Sequence, residues 1–219
     1  MNLKVLTLMT AGGVLFVVLG YLVYRQFVGT AVGTSASVDS GYSDQPRLGH
    51  RDAPVKLILF ENFLCEHCRA FEETVFPRIR SDYIETGRVE AYYVNLAWGP
   101  EGATTAGLAG ECAFRQAPEA FWEYKGAIYA AQVDDGGAWA TSYNLVAIAR
   151  ESVSALDPEE LLACIEDRRY LAEVRRDLDL GDRIGVRGTP SVVVGNQGWE
   201  APSYETLAHA IDRQLSNRE

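Results

Sequence analysis

The chain has 219 residues, of which 47% are hydrophobic and 23% charged, and its net charge is −10. That length and composition support one domain with a proper core plus a targeting segment, and exclude a disordered chain. The acidity excludes nucleic acid as a partner, because phosphate binding needs a basic footprint, and reads as a soluble, self-repelling surface.

Between Lys4 and Arg25 the residues Val5 to Tyr24 carry no charge. Twenty helical residues span about 30 Å, the thickness of a bilayer core. Residues 1–28 are therefore expected to form one uncleaved transmembrane anchor. A cleaved signal peptide is the alternative, with weak cleavage candidates at Ala31 and Ser35-Ala36-Ser37. Residues 29–49 are rich in Gly, Ser, Ala and Thr and lack apolar periodicity, so a flexible linker is expected there.

The apolar run Val55 to Phe60 predicts a buried strand. A helix is expected to start at Cys65-Glu66-His67-Cys68. Phe71, Val75, Ile79 and Tyr83 then recur as one apolar stripe, which Cys68 extends backwards. Pro77 is expected to kink this helix and Gly87 to close it. Val89 to Asn95 reads as a second strand, parallel to the first across a right-handed crossover.

From Ala103 to about Ile184 the pattern is helical. Ala106, Ala109, Gly110 and Ala113 suit close helix packing, and Phe121, Trp122, Tyr124, Ile128 and Tyr129 read as core. Asp157-Pro158-Glu159-Glu160 marks a helix start, with Asp as cap, Pro in the first turn and acids at the positive end. A further helix is expected from about Arg168. Ser191 to Val194 reads as a strand, Gly195 to Gly198 as a hairpin turn, and Tyr204 to Leu215 as a closing amphipathic helix. The order is β-α-β, a helical block, then β-β-α.

Two of the four cysteines form C-x-x-C; Cys112 and Cys164 stand alone. Cysteines at i and i+3 on a helix start lie on one face, within disulfide reach. Unpaired N–H groups and the helix dipole favour a thiolate at Cys65, while Cys68 faces the core. That division suits thiol exchange through a mixed disulfide. His67, if protonated, would add positive charge near the Cys65 sulfur; an exposed residue without a role is the alternative. Glu66 opposes it from solvent. A zinc site wants a second close pair of ligands, which is missing, and haem attachment wants His where Arg69 stands. No metal and no cofactor is expected. Cys112 and Cys164 are expected to pair as a structural disulfide across the helical block, with two buried free thiols as the alternative.

With these features the chain resembles the DsbA-like branch of the thioredoxin superfamily. The matching stretches are Gly49 to Val55, Phe63 to Cys68, Glu111-Cys112-Ala113, Phe121 to Tyr124, Leu161 to Cys164, Gly185 to Ser191 and Tyr204 to Leu207. The resemblance implies an α/β thioredoxin fold at 50–100 and 185–219, with an inserted helical domain at 101–184. It implies a cis peptide between Thr189 and Pro190, beside the redox pair, that would offer the Thr189 backbone to a substrate strand. An ordinary strand-opening proline is the alternative. It further implies disulfide introduction into exported proteins through Cys65 and Cys68, with recharging by a quinone-linked membrane partner. The expected setting is a monomeric catalytic domain on the extracytoplasmic side of a cell membrane. A disulfide reductase or isomerase and a non-catalytic peptide-binding module are the competing readings. Two positions depart from the family pattern: Glu66 stands where Pro is frequent, and Leu59 stands where the family carries a buried acid. Glu61 is the nearest carboxylate and shares a strand face with Leu59.

Overall fold

The structure, a computed structural model, describes residues 31–32 and 41–217. Among these residues the strands are β1 (Ala31–Val32), β2 (Arg47–Leu48), β3 (Val55–Glu61), β4 (Val89–Asn95), β5 (Ser191–Val194) and β6 (Gln197–Glu200). They form one sheet in the order β1-β6-β5-β3-β4-β2. β3 and β4 are parallel, in register from Val55 opposite Val89 to Glu61 opposite Asn95. The other neighbouring pairs are antiparallel.

Every residue of the central strand β3 except Lys56 is buried. Alternate side chains therefore feed two cores. Ile58 and Phe60 meet Leu180 and Ile184 of α7 (Leu171–Ile184) on one face. Leu57 and Leu59 meet Phe71 of α1 (Glu66–Thr74), Phe76 and Ile79 of α2 (Phe76–Ile79), and Leu207 and Ile211 of α8 (Tyr204–Ser216) on the other. The intervening helices α3 (Glu101–Gln116), α4 (Phe121–Ala130), α5 (Ser142–Ser152) and α6 (Pro158–Glu166) pack into this second core, within one compact unit that begins at Ala31. Asp157 caps α6, accepting from the Glu159 N–H at 2.9 Å. Cys112 and Cys164 are bonded, with Cα atoms 6.0 Å apart, and tie α3 to α6.

Three expectations are corrected. The segment expected to be a free linker up to residue 49 is pinned from residue 41 onward. Arg47 and Leu48 pair with Tyr92 and Ala91, Gln45 Nε2 donates to Asp177 at 2.5 Å, and the Tyr42 ring meets Tyr92 edge-on at 4.7 Å. The outer edge of β4 supplies the reason, since its unpaired backbone groups need partners and this segment provides them. The helix after the C-x-x-C is broken at Val75 rather than bent at Pro77. Pro77 sits in the first turn of α2, where its missing N–H removes no intrahelical bond, and a π turn (Arg80–Ile84) follows. The helix expected from Arg168 begins at Leu171, because Arg168 adopts a positive φ of 52°. The expected anchor, residues 1–28, lies outside the described residues. Among the described residues no helix is long and apolar enough to cross a membrane.

Candidate active site

The junction between β3 and α1 is held by two side chains. Asn62 Oδ1 accepts from the Leu64 N–H at 2.8 Å, and Asn62 Nδ2 donates to the Trp98 carbonyl at 2.8 Å. Gln132 Nε2 donates to the Phe63 carbonyl at 2.8 Å and to the Cys65 carbonyl at 3.3 Å. This fixes Cys65 as the cap of α1 in extended conformation, with no side-chain cap bond of its own. The unpaired N–H groups of the first helical turn therefore face its sulfur.

Cys65 is half-buried, Cys68 is wholly buried, and both are free thiols. The Cys65 thiol donates to the Thr189 carbonyl at 3.3 Å, and the Thr189–Pro190 peptide is cis. The pair and the cis-proline loop, 124 residues apart in the chain, are thus brought together. The Cys65 thiol is lowered to about 5, chiefly by the hydrogen bond that Cys68 gives its sulfur; burial opposes this, while the Thr189 side chain and the backbone N–H groups of Cys68 and His67 add to it. The Thr189 carbonyl contact favours the protonated thiol, so it is the donors that make the thiolate. Cys68 moves the other way: burial pushes its thiol far up, reinforced by its bond to Cys65 and by the charge of Glu61. His67 acts on Cys65 through its backbone N–H, and its side chain is exposed. Glu66 is exposed, as expected.

Beneath Cys68 lies a charged set of which the sequence reading named only Glu61. Glu61 is wholly buried. Its Oε2 meets Lys125 Nζ at 3.3 Å and accepts from the Tyr129 hydroxyl at 3.2 Å. Lys125 also meets Glu72 Oε1 at 2.5 Å. The ammonium is enclosed by the rings of Phe76, Trp122, Tyr93 and Tyr129, at 4.5, 4.9, 5.1 and 5.7 Å. Burial raises Glu61 above the ordinary carboxylate range, with Lys125 opposing. The missed signal was periodicity. Phe121, Tyr124, Ile128 and Tyr129 are buried at spacings that place Lys125 on the same helical face. Among the described residues no cluster of three or more His, Cys, Asp or Glu could hold a metal.

An activated thiol at a helix start, a buried partner thiol one turn on, and a cis-proline loop against them define a thiol–disulfide exchange centre on a thioredoxin-type sheet. Comparison with known proteins agrees. The profile of the family described as Thioredoxin matches residues 42–213. The probable disulfide bond formation protein D of Bacillus anthracis is 34% identical over 80% of this chain and 80% of its own length. Disulfide bond formation protein D of Bacillus subtilis is 28% identical over 80% and 78%. The crystal structure of oxidised BdbD from Bacillus subtilis superimposes with a TM-score of 0.75 at 28% identity, covering 78% of this chain and 93% of that one. The crystal structure of Chlamydia trachomatis DsbA does so with a TM-score of 0.75 at 26% identity, covering 80% and 93%. The chain belongs to the thioredoxin family, in its DsbA-like branch, and is a protein thiol–disulfide oxidoreductase of the disulfide-forming kind.

Proposed function

We propose that Cys65 and Cys68 carry this activity by oxidising the thiols of exported proteins. A substrate thiolate attacks Cys65 Sγ of the disulfide form, the bond to Cys68 breaks, and Cys68 leaves with the electron pair. A second substrate thiolate then attacks the substrate sulfur of the mixed disulfide. Cys65 departs as a thiolate, the substrate gains a disulfide, and the pair holds two electrons. The extended substrate lies beside the Thr189 backbone, ahead of Pro190, by edge pairing. Residues 1–28 anchor the domain to the outer face of the cell membrane as a monomer. A quinone-linked membrane partner takes the electrons away.

One observation carries the direction. Converging donors hold the Cys65 sulfur as a thiolate, with its proton lost at about pH 5. Stabilising the thiolate stabilises the dithiol form, so the disulfide is a strong oxidant and Cys65 a good leaving group. Titration of the pair against glutathione tests this. The expected potential lies well above that of thioredoxin, nearer the range of about −120 to −180 mV. A value near about −270 mV would make the protein a reductase. Retention of thiol oxidation in Cys65→Ser would point to a binding module instead.

A further inference from the structure

We propose that Gln132 is a positioning residue for the Cys65 sulfur: its amide occupies the carbonyls of the C-x-x-C turn, so that the first N–H groups of α1 are kept for that sulfur. The inference rests on the reading of Cys65 as the exposed half of the redox pair.

The need follows from helix chemistry. Cys65 caps α1 in extended conformation, with φ −82° and ψ 120°. A cap side chain meets the N–H groups of the second and third helical residues. Here these are His67 and Cys68, and both N–H groups act on the Cys65 sulfur. They have natural rivals. In a helix the carbonyl of residue i takes the N–H of residue i+4, so the Phe63 carbonyl is matched to the His67 N–H. If Cys65 turned to helical φ and ψ, α1 would lengthen backwards, and that N–H would pass from the sulfur to Phe63.

The structure removes the rival. Gln132 Nε2 donates to the Phe63 carbonyl at 2.8 Å and to the Cys65 carbonyl at 3.3 Å, one hydrogen to each. The Phe63 carbonyl is thereby satisfied without the His67 N–H. The Cys65 carbonyl also accepts from the Arg69 N–H at 3.1 Å, so both its lone pairs are held, and with them the extended ψ of Cys65. Asn62 holds the opposite side of the turn, its carbonyl accepting from the Cys65 N–H at 2.9 Å. Gln132 is buried and is placed by the end of α4, where its own N–H donates to the Tyr129 carbonyl at 3.2 Å. Arg69 Nη1 donates back to the Gln132 carbonyl at 3.0 Å. The start of α1 and the end of α4 therefore grip each other in both directions.

The effect is selective for one redox state. Only the dithiol form carries a thiolate for the freed N–H groups to stabilise. The clamp therefore favours that form and makes the disulfide a stronger oxidant. A side chain that merely filled space would support both forms alike.

Thiolate ultraviolet absorbance and glutathione titration of the full chain test this. Gln132→Met keeps the bulk and loses the donors. In it the acid constant of Cys65 is expected to fall about 10-fold, as loss of one screened hydrogen bond to a charge requires. The equilibrium with glutathione is expected to move about 10-fold toward the disulfide form, which is about 30 mV. Denaturant is expected to show a larger loss of stability in the dithiol form than in the disulfide form. Wild-type acid constant and potential in Gln132→Met, or equal loss of stability in the two forms, would overturn the proposal. Should Gln132→Met not fold, Arg69 decides: Arg69→Met is expected to lower the acid constant about threefold, while Arg69→Lys keeps charge and donor and stays near wild type. Equal values in those two variants would overturn the proposal. Failure of the unaltered chain to oxidise dithiol peptides would instead overturn the function beneath it, since Cys65 titrates without turnover.

Discussion

Replacing Cys68 by Ala removes the first-ranked donor to the Cys65 sulfur. A hydrogen bond to a charged group contributes about 1.5 to 3 kcal/mol, and one pKa unit corresponds to about 1.36 kcal/mol. The loss therefore amounts to about one or two units. Cys65 is only half-buried, and solvent screening favours the lower figure. From a starting value of about 5, Cys65 in Cys68→Ala is expected to titrate at about 6. Cys68→Ser keeps a hydroxyl donor in the same place and is expected to stay near 5. Thiolate ultraviolet absorbance against pH is the assay of choice. Alkylation rate is a poorer one, because nucleophilicity rises as the pKa rises and masks part of the change. If the Ala and Ser variants titrate together, the Cys68 thiol is not what lowers Cys65, and the helix-start N–H groups must carry the whole shift.

The other predictions follow from the same geometry. His67→Ala is expected to move the Cys65 pKa by less than about one unit, since the backbone N–H survives the substitution; a larger shift in the same absorbance titration would return the role to the ring. The dithiol holds two protons below about pH 5 and one above it, because Cys65 ionises there and Cys68 does not. The potential is therefore expected to fall by about 59 mV per pH unit in acid and about 30 mV per unit from pH 6 to 8, readable from glutathione titrations at several pH values; a single slope throughout would contradict the low Cys65 value. Removing both Cys112 and Cys164 opens a link across 52 residues. It is expected to cost about 4 kcal/mol and lower Tm by about 8 to 16 °C in calorimetry, with the Cys65–Cys68 potential unchanged; a shifted potential would show that the bond reaches the active site.

The strands and the redox pair were legible because local rules decide them. Val89 to Asn95 and Ser191 to Val194 form strands with the expected bounds, and Cys65 caps its helix as its place before a periodic stripe required. The segment from residue 41 was not legible, because a two-residue edge strand is made by its neighbour β4 rather than by its own composition. His67 was legible as a contributor but not as a backbone one, since a sequence displays rings and hides N–H groups. Lys125 was hidden by the rule that charges face water, although the spacing of Phe121, Tyr124 and Ile128 turns it inward.

The acid beneath the active site shows most clearly how pattern and position part. By position, Leu59 leaves the middle of β3 without the carboxylate that the family resemblance implies there. By strand periodicity, a shift of two residues returns the carboxylate to the same face, about 7 Å further along. At Glu61 it lies at the end of β3, where the aromatic face of α4 closes over the sheet. An uncompensated buried charge there would be strongly destabilising. Lys125 offsets it from across that boundary, and the four rings around the ammonium help to replace its lost water. The displaced acid and the inward lysine are therefore one feature, and neither is intelligible at its own position alone. Replacing Lys125 singly by Met should accordingly destabilise the fold more than replacing it together with Glu61→Leu, because only the single change leaves Glu61 facing the core without its cation. Chemical denaturation of the two variants measures the difference. Equal stability would mean that Glu61 is held protonated without Lys125, and that the pair is a neighbourly contact rather than a mutual requirement.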